Sequence, residues 1–322
     1  MSIVSVSCCN SYNSDELYRQ LQRSIELAGG FDIGSYSQIA IKINICDART
    51  PDTGAVTHPA FLDILLRYLR EKFGDIPIFV LESDGVVVLA DEFIGWLGYS
   101  RIIERWNARF VNLSKSPSID VVVNGSVFSS LSLPLVVRDS FFITCAKLKT
   151  NVLSQITCAL KNQYGVMPMV DKNQYHPVLD RAIAELNTVY RPDFSIVDGI
   201  IGHGGTQGPA FGIPIPAGVI VAGKDPVAVD TCCSHIMKVP PVFVGHLRLS
   251  EKLGVGHRKH QTVGDQPPRV DFNVNLASML LFKTGSAIKR KLTARRRASA
   301  SSHVMPDKSQ HVDLQATEAS HL

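Results

Sequence analysis

The chain has 322 residues, 45% of them hydrophobic, with a formal net charge of +4, which suits one large buried core followed by a tail. Most of the charge surplus sits in Lys289, Arg290, Lys291, Arg295, Arg296 and Arg297, so the core is near neutral and nucleic acid is not expected as its partner. The start, MSIVSVSCCNSYNSDEL, has no basic segment before its serine-broken apolar run, and no later run reaches the roughly 18 apolar residues of a membrane span, so neither export nor spanning is expected.

Short runs rich in Val, Ile and Phe alternate with helical patterns, which predicts an α/β fold: a mostly parallel twisted sheet with helices on both faces. Strands are expected at residues 3–8, 38–43, 76–81, 109–113, 141–146, 194–197 and 218–222. The first helix begins at Ser14 and stops at Gly29-Gly30; the second starts from Thr57-His58-Pro59 and stops at Gly74. Between residues 119 and 137 apolar and polar residues alternate without helical period, which predicts an antiparallel hairpin added to the sheet. Helices follow at 152–162, 176–187, 226–237, 242–253 and 274–292. Residues 1–292 read as a single domain, and the small, polar, patternless segment 293–322 as a disordered basic tail.

The seven cysteines, Cys8, Cys9, Cys46, Cys145, Cys158, Cys232 and Cys233, include no Cys-x-x-Cys pair and no zinc spacing. An odd number resists a full disulfide framework, and a reducing cytoplasm is the expected setting.

In open sheets of this type ligands sit beyond the carboxyl ends of the strands, so the residues that follow each strand are the candidates. AIKINICD supplies Lys42 and Asn44; FVLESDG supplies Glu82 and Asp84; FITCAKLKT supplies Lys147 and Lys149; FSIVDGIIGHGG supplies Asp198 and His203. Singly, each has a bland role as a snorkelling chain, a cap or a turn brace. Their convergence on one rim favours a site. His58 stands at the mouth of a helix whose free amides suit an anion. Lys161 and Asn162 lie near a helix end closed by Gly165, and Lys172 and His176 fall in a polar loop long enough to fold over a ligand.

The glycine-rich stretch VDGIIGHGGTQGPAFG, Val197 to Gly212, runs into prolines rather than a helix and lacks a Gly-Lys-Ser/Thr ending. It is therefore not a phosphate loop. Its glycines are expected to allow a tight excursion that brings Asp198, His203, Thr206 or Gln207 to a ligand. On a strand Lys147 and Lys149 face the same way, so an anion must lie near both. That anion is a ligand, or it is Glu82, Asp84 or Asp198.

The motifs KIN, THP, ESDG, KLKT, ALKNQYG, PDFSIVDGIIG, GPAFG and AGKDPVAVD, in this order, resemble the domain of unknown function 362 family over about residues 39–264. Many members of that prokaryotic group carry a ferredoxin-like module with [4Fe–4S] clusters. This chain has no Cys-x-x-Cys-x-x-Cys run, so no resident iron–sulfur cluster is expected. The resemblance implies a site drawn from Lys42, Asn44, His58, Glu82, Asp84, Lys147, Lys149, Lys161, Asn162 and Asp198; Asp225 and Asp230 match too, as caps or anchors of a helix.

The leading expectation is an enzyme acting on a small anionic metabolite or biosynthetic intermediate, its reaction class open. Lys42, His58, Glu82 and Asp198 are the catalytic candidates, and Asn44, Lys147, Lys149, Lys161, Asn162 and His203 the substrate-binding ones. A divalent metal on Glu82, Asp84 and Asp198 is a weaker candidate cofactor. The alternatives are a non-catalytic binding or maturation partner of a separate ferredoxin or iron–sulfur protein, and a purely structural salt-bridge network.

Overall fold

The computed structural model describes residues 1–205, 211–275, 277, 278 and 281. The expected tail, most of the helix expected at 274–292, and Thr206 and Gln207 lie outside the described residues. The compact unit that carries the fold spans Met1–Lys283.

The strands are β1 (Ser2–Cys8), β2 (Ile39–Lys42), β3 (Ile78–Glu82), β4 (Arg109–Asn112), β5 (Ser118–Val122), β6 (Ser130–Pro134), β7 (Phe141–Asn151), β8 (Gln155–Thr157), β9 (Phe194–Gly204), β10 (Ile213–Gly223) and β11 (His260–Gly264). The helices are α1 (Ser14–Leu27), α2 (Pro59–Phe73), α3 (Ala90–Trp96), α4 (Tyr99–Arg105), α5 (Leu135–Arg138), α6 (Ala159–Asn162), α7 (Leu179–Leu186), α8 (Pro226–Ile236) and α9 (Gly245–Lys252).

The main sheet has the order β11-β1-β10-β9-β7-β2-β3-β4, with β8 paired to β7. The pairs β9/β7, β7/β2, β2/β3, β3/β4 and β1/β11 are parallel, while β1/β10, β10/β9 and β7/β8 are antiparallel. The sheet is thus mostly parallel, as the sequence pattern predicts. The expected hairpin is present as β5 and β6, but its strands pair with each other in a separate two-stranded sheet instead of extending the main one.

Alternate side chains of the strands enter two cores, because the side-chain period of a strand is two. Ile39, Ile41, Ile143 and Ile196 pack with Leu17, Leu21, Leu62 and Leu65 of α1 and α2. Ala40, Phe142, Ala146 and Val197 pack on the other face with Ala182, Ile183, Val229 and Leu247 of α7, α8 and α9. Asn13 caps α1 by accepting from Asp15 and Glu16 amides, and α2 has Pro59 in its first turn and ends at Gly74 with φ 60°.

Two expectations change. The helix expected at 152–162 is instead the end of β7, a turn, β8 and the four-residue α6; Asn151 Oδ1 accepts from the Leu153 and Ser154 amides and Gln155 takes φ 65°, which folds the chain back on itself. The glycine stretch is no excursion up to Gly204: it is strand β9, paired with β7 and β10. A Cβ on Gly199 would stand 2.8 Å from the Val219 carbonyl oxygen and one on Gly202 would stand 2.7 Å from the Phe272 ring, so these glycines serve close packing.

From β2 the chain moves outward through β3 to β4, then returns to β7 on the opposite side of β2. The strand order therefore reverses between β2 and β7, where open α/β sheets hold their ligands.

Candidate functional site

A cleft of about 230 Å³ lies at that reversal, lined by Lys42 at the end of β2 and Asn44 beyond it, Glu82 at the end of β3 with Ser83 and Asp84 beyond it, Lys149 of β7, and Lys161 and Asn162 of α6. Lys172 and His176, from the polar loop singled out in the sequence, form part of the same wall. Nine of the residues named from the sequence are thus brought together. Lys147, Asp198, His58 and His203 are not among the cleft lining.

Inside the cleft, Lys42 Nζ pairs with Glu82 Oε1 at 2.6 Å and donates to the Ile43 carbonyl at 2.7 Å, both side chains being almost wholly buried. Burial pushes the Lys42 ammonium below the usual lysine range, against the pull of Glu82. Glu82 is also held by the backbone: Oε2 accepts from the Ile45 amide and Oε1 from the Ser83 amide. Gly165 lets the chain cross this pair closely, since a Cβ there would stand 2.8 Å from Lys42 Nζ.

Lys149, 3% exposed, donates to Asn44 Oδ1 at 2.6 Å and the Ala55 carbonyl at 2.8 Å, and touches Cys46 Sγ at 3.2 Å. Asn44 in turn donates to Asn162 Oδ1, and Asn162 Nδ2 donates to the Lys42 carbonyl and Thr144 Oγ1. Lys172 donates to Ser83 Oγ and the Asp84 carbonyl. Burial lowers its pKa to about 8. Lys161 is partly buried and lies 5.6 Å from the Tyr164 ring centroid; burial and then the neighbouring Lys149 lower its pKa to about 8. Asp84 accepts from the Ala90 amide and Asn112 Nδ2, and so fixes the start of α3.

The second cluster is internal. Lys147 and Asp198, both with fully buried side chains, pair at 2.7 Å. Tyr12 accepts from Lys147 at 2.9 Å and donates to Asp198 Oδ1 at 2.9 Å, while the His58 amide donates to Asp198 Oδ2 at 3.0 Å. The anion at the mouth of α2 is therefore the chain's own Asp198. His58 Nδ1 accepts from the Ala60 amide, and its ring stacks on Tyr12 at 3.7 Å. Burial lowers the His58 pKa to about 4, so the ring is neutral and caps the helix. His203 is buried with Nδ1 2.8 Å from the Thr53 carbonyl.

Leu148 points into the opposite core, as alternation requires, and Lys147 and Lys149 share a face. A register shift between them in the β7/β9 pairing accompanies their different neighbours. Asp198 thus stands with Lys147 rather than with Glu82 and Asp84, and among the described residues no group of three or more His, Cys, Asp or Glu is placed to hold a metal. Tyr12, Cys46 and Tyr164 were not singled out in the sequence. Tyr12 carried no signal there, because its hydrogen-bond partners Asp198 and Lys147 are more than 130 residues distant.

The sequence profile of the family described as Domain of unknown function (DUF362) matches residues 39–235. The chain belongs to this family. The matched segment contains every cleft residue named above, from Lys42 to His176. A thylakoid-associated protein of Synechocystis sp. is 25% identical over 274 residues, 78% of this chain and 79% of that protein. Among solved structures, a Thermotoga maritima protein superposes with a TM-score of 0.37 at 16% identity, over 63% of this chain and 53% of its own. The lactate racemase apoprotein of Thermoanaerobacterium thermosaccharolyticum gives 0.43 at 12% identity, over 74% and 58%. The DUF362 chain thus spans little more than half the length of either structure. Among its described residues no helix is long and apolar enough to cross a membrane.

Proposed function

We propose that this DUF362 protein is an enzyme acting on a small anionic metabolite or biosynthetic intermediate, bound in the cleft by Lys149, Lys161 and Lys172. One observation carries the reading: none of these three lysines makes an ion pair with a described residue, because the nearby Glu82 is committed to Lys42. A cation held out of water without a counter-charge is unfavourable, and an entering carboxylate or phosphate relieves it. Asn44 and Asn162 would orient that anion, and the Lys42–Glu82 pair would handle protons.

Thermal denaturation in rising inorganic phosphate and malonate tests this. A saturable rise is expected, worth about 2.7 kcal/mol at a hundred times Kd, and lost in Lys149→Met and Lys161→Met. No saturable rise, or an equal one in both variants, would refute it.

A second reading, a non-catalytic partner of a separate ferredoxin, draws support from the rim, where Val86, Val87 and Val170 are 60%, 72% and 47% exposed. Titration with a ferredoxin, with Val86→Ser/Val87→Ser as control, separates the two: binding lost in that variant favours the partner.

A further inference from the structure

We propose that Lys161 is an amine nucleophile that forms a Schiff base with the carbonyl carbon of an oxo-carboxylate bound in the cleft. This rests on the reading of the cleft as an anion site and names the class of anion.

The backbone that carries Lys161 is pinned from two sides. Buried Asp230 of α8 accepts from the Ala159 amide at 2.7 Å and the Leu160 amide at 3.0 Å, which fixes the start of α6. Asn162, the next residue, is tied to Asn44, Thr144 and the Lys42 carbonyl. Between these anchors the Lys161 ammonium makes no hydrogen bond to a described residue and only lies over the Tyr164 ring. Lys42, Lys149 and Lys172 are each held by two or more hydrogen bonds or ion pairs.

A lysine that only clamps an anion gains from such fixation; one that must attack a carbonyl has to be free of it and must shed its proton. The surroundings favour that loss. Burial disfavours the charged form most, and the like charge of Lys149 on β7 adds to it; Cys46, in the loop after β2, pulls the other way, His176 of the polar loop also faces Lys161, and the Glu82 carboxylate is already neutralised by Lys42. With a pKa of about 8, about a tenth of the side chain is free amine at pH 7.

The step balances without a redox partner. The Nζ lone pair attacks the carbonyl carbon. The former carbonyl oxygen leaves as water, taking one proton from the amine and one from solvent, and a protonated C=N bond remains. Lys149 is placed to hold the carboxylate of the same molecule.

The test is reductive trapping: the full chain is incubated with pyruvate and sodium cyanoborohydride, and the alkylated lysines are mapped by peptide mass spectrometry. Labelling should concentrate on Lys161, saturate with pyruvate, be competed by malonate, and rise with pH about a midpoint near 8. Lys161→Arg keeps the charge and should abolish the label. Labelling spread over exposed lysines, or absent from Lys161, overturns the proposal. If malonate still raises the melting temperature of a protein that gives no adduct, the Schiff base falls and the anion site stands; if neither occurs, both fall.

Discussion

Replacing Lys147 by methionine leaves the Asp198 carboxylate buried with only neutral donors: the Tyr12 hydroxyl and the His58 and Ile200 amides. Breaking one side of a fully buried pair costs about 3–5 kcal/mol, because the remaining charge keeps its desolvation penalty and loses its counter-ion. Lys149→Met differs. It loses bonds to the Asn44 side chain and the Ala55 carbonyl, both neutral, so no charge is left buried without its counter-ion. The expected loss is about 1 kcal/mol. Guanidinium chloride denaturation of the two single variants beside wild type measures both. Adding Asp198→Asn to Lys147→Met should recover part of the loss, since the stranded charge goes with it. A Lys147→Met loss below about 1 kcal/mol, or a Lys149→Met loss as large as that of Lys147→Met, would refute the division of the two lysines between fold and cleft.

Other outcomes follow from the same geometry. Lys161→Met should leave the melting temperature unchanged or higher, because a desolvated cation without a hydrogen bond is removed, and differential scanning calorimetry checks it. Gly165→Ala should displace the Lys42–Glu82 pair, which a new Cβ would meet at 2.8 and 3.0 Å; about 1–3 kcal/mol of stability and most of the anion affinity should go together in denaturation and binding curves. The folded pKa of His58, about 4, lies below its unfolded value. The unfolded chain therefore takes the proton first, and this residue's contribution weakens as pH falls from about 6.5 towards 4, by up to about 1.4 kcal/mol per pH unit. His58→Asn, which keeps a cap, should flatten that slope in urea midpoints taken across the range.

The parallel centre of the sheet was legible because β2, β3 and the first half of β7 are apolar at nearly every position, which suits a strand covered on both faces. The turn after β7 was not. Its cause is the Asn151 side chain seizing two amides, an event without period, and the apolar residues that follow mimic a helix. At the site, reading the strand ends found Lys42, Asn44, Glu82, Asp84 and Lys149, since topology alone sends those positions to one rim. It could not divide Lys147 from Lys149. That division depends on Tyr12 and on a register shift, both products of contacts between distant segments.

The register shift between Lys147 and Lys149 has an evolutionary corollary. One strand carries two cations two residues apart, yet one is answered by an internal carboxylate and the other by groups without charge. Substitutions at Asn44, Cys46 or Lys149 therefore change the cleft lining, while the Lys147–Asp198 brace keeps strand and helix in place. A scaffold whose cleft lining can drift independently of its folding brace is free to change at the cleft alone.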